Sequence, residues 1–128
     1  MIYLLLVALG GAIGAVLRFF AGIFTVKFIG RSDYLTGTVV ANLAGCFLAG
    51  LALGWVESNP GMSYDIILFF VVGILGSLTT FSTFALEVFY LVRDKSNSHL
   101  VIYLLLQIVL AFLVTLLGYG LFIWIGGS

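Results

Sequence analysis

The stretch Gly76-Ser77-Leu78-Thr79-Thr80-Phe81-Ser82-Thr83-Phe84, GSLTTFSTF, lies between the apolar runs ILFFVVGIL and ALEVFYLV. Five hydroxyls in such a setting need a physical reason, because the centre of a bilayer holds no water to satisfy stray polar groups. Gly73 and Gly76 weaken a helix, and the threonines and serines can bond local backbone in place of the helical ladder. The residues leave two readings open. One is a helix broken at membrane depth, whose freed carbonyls make a ready cation site. The other is an intact helix whose hydroxyls bond back one turn.

The rest of the chain sets that depth. Its 128 residues are 63% hydrophobic and only 8% charged, far from the balance of a soluble domain. Mean hydropathy is +1.31, so this is an integral membrane protein. The formal net charge of zero gives no reason to expect a nucleic-acid partner or a polybasic lipid anchor. Polar punctuation at FIGRSDYLT, ESNPGMS and RDKSNSH divides the sequence into four apolar segments. They cover roughly residues 2–27, 37–56, 64–92 and 100–125, each near the 20 residues a helix needs to cross a bilayer. The expected architecture is all-α, a single four-span membrane domain over residues 1–128. The N-terminal segment lacks a positive n-region and stays apolar past Arg18 to Lys27, so it is expected to be a retained span.

Small residues recur at four-residue spacing in Gly10/Gly14, Gly50/Gly54 and Gly73/Ser77, which predicts close helix packing. Arg18, Asn42, Glu87 and Gln107 each fall inside an apolar span and are expected to converge on a partner helix or a water-filled path. On the fourth span Tyr103, Gln107 and Thr115 are four or eight residues apart, so an α-helix puts them on one face, interrupted by Ala111. That face either lines a path or bonds to a neighbouring helix. Phe81 and Phe84 share a face of any turn that follows the break. They either pack against neighbours or turn the positive edges of their rings toward a small anion.

No catalytic constellation is present, so an enzyme is not expected. His99 is the sole histidine and is expected in a solvated linker. Cys46 is the sole cysteine and is expected to be a small apolar packing residue, with neither a disulfide nor a metal site available to it.

The segments GGAIGAVLR (Gly10 to Arg18), GTVVANLAGCFLAG (Gly37 to Gly50) and GILGSLTTFSTFALE (Gly73 to Glu87) together resemble the Fluc family of bacterial fluoride channels, also called CrcB proteins, over nearly the whole chain. The resemblance implies a passive fluoride channel of the cell's inner (plasma) membrane, protecting against fluoride toxicity. It implies a dual-topology dimer of antiparallel subunits, with fluoride and membrane lipid as further partners and the third helix broken at mid-membrane. It also implies a structural sodium ion at the dimer axis, held by main-chain carbonyls that carry over to Gly76 and Thr79. Asn42, Ser82 and Thr83 would line the anion path, Phe81 and Phe84 would offer ring edges, and Arg18 would stand near an aqueous vestibule. Thr38, Glu87 and Tyr103 match polar positions close to the pore, with Gln107 and Thr115 continuing the polar row. Three positions depart from the family pattern: Ala111 where many relatives have serine, Gln107 where a small polar residue or histidine is usual, and Ser77 in place of a glycine.

Two other classes compete. A small multidrug exporter of similar size depends on a first-span carboxylate, which this first span lacks. A structural membrane subunit would carry no anion by itself. Lys27, Arg31, Arg93 and Lys95 all flank or occupy the loops after spans one and three, which predicts that both termini lie outside. This bias suits either a residual orientation preference or a partner paralogue inserted the other way.

Overall fold

The computed structural model describes residues 1–126. Among the described residues there is no strand, and four helical stretches are long and apolar enough to cross a membrane: Ile2–Phe28, Gly37–Ser58, Tyr64–Arg93 and Asn97–Gly126. The first two are α1 and α2. The third is divided into α3, residues 64–78, and α4, Phe81–Arg93, and the fourth is α5, Asn97–Gly126. The spans match the sequence expectation within two residues, except that α5 begins at Asn97 rather than near residue 100.

Local capping explains the boundaries. Thr36 caps α2 by accepting from the Val39 amide, and Ser63 caps α3 by accepting from the Asp65 amide. After α4 the chain reverses within three residues, with Lys95 in the left-handed region at φ 55° and the Ser96 amide donating to the Leu91 carbonyl at 3.0 Å. So tight a reversal lets helix resume at once, and it corrects the placement of His99. That residue stands in the first turn of α5, with Nδ1 3.2 Å from Asp33 Oδ2, rather than in a linker.

Packing follows the small residues. A Cβ at Gly10 would collide with the Phe69 carbonyl and one at Gly14 with the Ile74 carbonyl, so α1 lies directly against the backbone of α3. A Cβ at Gly50 would likewise strike the Thr115 carbonyl, and one at Gly118 the Phe47 carbonyl, which joins α2 to α5 just as closely. Without a hydrophobic drive between helices in lipid, such backbone contact supplies the dispersion energy that holds spans together. Among the described residues the buried apolar side chains are few, Val39, Ala41, Leu68, Leu78, Leu91, Tyr103 and Ala111, and Val39, Leu91 and Tyr103 form a cluster with Phe84, Val88 and Leu106 packed around it. Most large apolar side chains face outward, as a bilayer or another membrane subunit permits.

Two stretches depart from α-helical hydrogen bonding. Leu68–Leu75 in α3 and Leu105–Leu110 in α5 are π-helical, with a wider turn that offsets the faces of residues on either side.

Candidate functional site

The third span breaks at Thr79 and Thr80, both extended, at ψ 151° and 121°. The last rung of α3 runs from the Thr79 amide to the Leu75 carbonyl at 3.1 Å. In a continuous helix the Thr80 amide would donate to the Gly76 carbonyl and the Thr83 amide to the Thr79 carbonyl. Here the Thr80 amide donates to Asn42 Oδ1 at 2.8 Å, and the Thr83 amide to Thr80 Oγ1 at 3.3 Å. The carbonyls of Gly76 and Thr79 thereby lose their helical donors. Of the two readings open from the sequence, the broken helix is the one observed, although Thr79 Oγ1 does bond back to the Leu75 carbonyl at 3.0 Å.

Thr80 organises the break. Its hydroxyl caps α4 and lies 3.2 Å from the hydroxyls of both Ser82 and Thr83. Its carbonyl accepts from Asn42 Nδ2 at 3.2 Å, so one amide side chain on α2 replaces both the donor and the acceptor that the helix ladder gives up.

A single row of hydrogen bonds leads from this point. Asn42 Nδ2 donates to Gln107 Oε1 at 2.9 Å, Gln107 Nε2 to the Tyr103 hydroxyl at 3.1 Å, and that hydroxyl to Glu87 Oε2 at 2.6 Å. The Glu87 carboxylate also accepts from Thr36 Oγ1 at 2.8 Å and Thr38 Oγ1 at 2.7 Å. Each donor points toward the carboxylate, as a charge held by three hydroxyls requires. Both Asn42 amide hydrogens are engaged, so Asn42 donates to an incoming anion only by releasing Thr80 or Gln107.

Asn42, Glu87 and Gln107 therefore meet in one hydrogen-bonded row, and Arg18 meets that row only at Glu87, across a groove that both residues line. Arg18 lines this groove, of about 760 Å³, with Lys27, Thr38, Thr80, Thr83 and Glu87. A second groove of about 550 Å³ is bordered by Asn42, Gly76, Thr79, Phe81, Phe84 and Gln107. Thr80 borders both, so the break is where the two grooves come nearest. Phe84 stacks on Tyr103 with ring centroids 5.8 Å apart and an interplanar angle of 12°, and Phe81 lies 5.3 Å from Phe84.

Thr115 stands apart. Its hydroxyl donates to the Ala111 carbonyl at 2.9 Å, and it does not extend the row from Tyr103 and Gln107. The single face expected from four-residue spacing assumes a regular α-helix, and the π-helical stretch Leu105–Leu110 offsets that register. Two contributors, Thr36 and Thr80, had no individual role in the sequence reading. Thr36 and Thr80 each sit immediately before a helix, the position at which a threonine caps, and that signal was available.

Fold and site together define a small polytopic membrane protein with an internal polar row beside a broken span. Residues 5–119 match the family model described as CrcB-like protein, Camphor Resistance (CrcB). The chain belongs to the CrcB family. It is 40% identical over 114 residues to a protein of Azobacteroides pseudotrichonymphae, covering 89% of this chain and 90% of that one. It is 35% identical to a protein of Agrobacterium fabrum, over 94% of this chain and 96% of the other. A protein of Chloroflexus aurantiacus is 36% identical, with 97% and 98% covered. Each of the three carries the name Fluoride-specific ion channel FluC.

Proposed function

We propose that this chain is a subunit of a fluoride-selective channel that lets fluoride leave the cell passively across the plasma membrane. The observation that carries the reading is the row from Glu87 through Tyr103, Gln107 and Asn42 to the break at Thr80, set between two grooves within the span region of a family member. Fluoride holds its water strongly, so a pore must replace that hydration with donors while binding weakly enough to release. The hydroxyls of Thr80, Ser82 and Thr83 and the exchangeable bonds of Asn42 supply such donors. The edges of Phe81 and Phe84 add a favourable field without a full charge. The Arg18 and Lys27 groove collects the anion before it meets the row.

The partner is a second subunit in the opposite orientation, seated over the groove that exposes Gly76 and Thr79. The residues there fit a sodium ion. The carbonyls of both have lost their helical donors, and hard oxygen ligands of that kind suit a small cation at a helix break. When bound, the ion supplies charge that ties the broken spans together; the anion path itself is made by side chains. The exporter reading is disfavoured because α1, Ile2–Phe28, contains no Asp or Glu.

The test is anion efflux from liposomes containing the purified protein, which in detergent is free to pair in either sense. Fluoride efflux well above chloride efflux, read with ion-selective electrodes, is expected. Equal rates, or none, would refute the proposal.

A further inference from the structure

The two ends of the helix bundle carry opposite kinds of side chain. At one end, the α1–α2 loop meets the start of α5 through the Asp33–His99 pair at 3.2 Å and the Tyr34 and His99 rings at 5.4 Å. That end holds Lys27, Arg31, Arg93 and Lys95. At the other end, Tyr3 meets Tyr64 with ring centroids 5.8 Å apart, and the Tyr119 hydroxyl donates to Glu57 at 2.8 Å. The loop at 59–63 and exposed Trp124, near the end of α5, belong to the same end, which has Glu57 and Asp65 but no Lys or Arg. The remaining cation, Arg18, lies within α1 and shares its groove with Lys27, so it belongs to the basic end.

We infer that this chain inserts in one orientation, with the basic end in the cytoplasm, and that its antiparallel partner is a different chain whose Lys and Arg sit at its opposite end. Orientation in a bilayer follows the Lys and Arg near the span ends, and acidic residues contribute little. The pairing of Arg93 with Asp94 at 2.8 Å therefore does not cancel the bias, and both of those side chains are exposed. An inverted second copy would hold all five cations toward the outside, the four at its loops among them, and none at its cytoplasmic end. The groove bearing Gly76, Thr79 and Phe81 then receives a subunit that differs from this one in its loops. The same orientation opens the Arg18 and Lys27 groove toward the cytoplasm, where an exporter must capture its anion. The orientation stands on the charges alone; only the antiparallel partner rests on the channel reading.

Single cysteines at Gly61→Cys and Ser98→Cys, in a Cys46→Ala background, test it in intact cells with a membrane-impermeant maleimide. Labelling at position 61 is expected to exceed that at 98 by at least about tenfold until the membrane is permeabilised. Equal labelling would overturn the inference. A reversed chain carrying Arg31→Gln, Arg93→Gln, Lys95→Gln, Asn59→Lys and Met62→Lys is expected to expose position 98 instead; if it keeps the parent's orientation, the charges do not set it. In cells lacking their own fluoride exporter, neither chain alone is expected to restore growth in fluoride, whereas the two together are. Growth with the native chain alone would overturn the different-partner claim. One-sided labelling without growth or efflux from any combination would overturn the channel reading and leave the orientation standing.

Discussion

Replacing Asn42 by alanine removes the side chain that substitutes for the missing helix rungs. Three bonds go at once: from the Thr80 amide at 2.8 Å, to the Thr80 carbonyl at 3.2 Å, and to Gln107 Oε1 at 2.9 Å. Thr80 is only 8% exposed, so its amide and carbonyl have little access to a replacement partner. Each buried backbone group left unpaired costs about 1–3 kcal/mol, which puts Asn42→Ala at about 2–5 kcal/mol once partial relaxation is allowed. A double-mutant cycle with Gln107→Leu isolates the Asn42–Gln107 bond, with an expected coupling of about 1 kcal/mol. The assay is SDS-driven unfolding in mixed micelles followed by tryptophan fluorescence, with helix content checked by circular dichroism. A cost below about 0.5 kcal/mol, within the usual scatter of a surface substitution, would refute the claim that Asn42 holds the break.

Phe81→Ile and Phe84→Ile preserve apolar volume and remove the ring edges, so each is expected to leave a folded protein by size-exclusion profile and to cut fluoride efflux at least about tenfold, or about 1.4 kcal/mol of barrier. Phe84→Ile should cost more stability than Phe81→Ile, because Phe84 stacks on Tyr103 whereas Phe81 is 79% exposed within the subunit. If Gly76 and Thr79 hold sodium through their carbonyls, Thr79→Ser should retain efflux and Gly76→Val should abolish it; identical behaviour would count against the site. A Cβ at Gly76 meets nothing nearer than the Val71 carbonyl at 3.9 Å, so a loss there would report what lies across the groove rather than a clash inside the subunit. Gly118→Val, by contrast, drives a side chain into the Phe47 carbonyl and should reduce yield of folded protein in detergent.

The four spans and the break were legible because each follows from a local cost. Apolar runs of spanning length have few alternatives in water, and hydroxyls massed just after two glycines compete with the ladder wherever they occur. The close helix contacts were legible for the same reason, since Gly10, Gly14, Gly50 and Gly73 are small wherever they end up. The partners of Glu87 were harder to read. Thr36 lies 51 residues from Glu87 in the chain, and nothing in either neighbourhood marks the pairing. Thr115 left the row for a different reason: its register was counted at an α-helical period, and Leu105–Leu110 before it is π-helical. His99 was misplaced because the reversal at Lys95 takes fewer residues than its polar surroundings suggest.

The gap at Thr79 and Thr80 also interrupts a mechanical connection. An intact helix carries axial load along its hydrogen-bond ladder, but two extended residues offer no rung. Load applied at the Arg93 end of α4 passes sideways instead, through the bonds of Glu87 to Thr36 and Thr38 and of Thr80 to Asn42, into α2, which meets α5 backbone to backbone at Gly50 and Gly118. The joint between α3 and α4 is thus free of helical rungs where Thr80 meets the polar row, whereas α2 and α5 are in backbone contact.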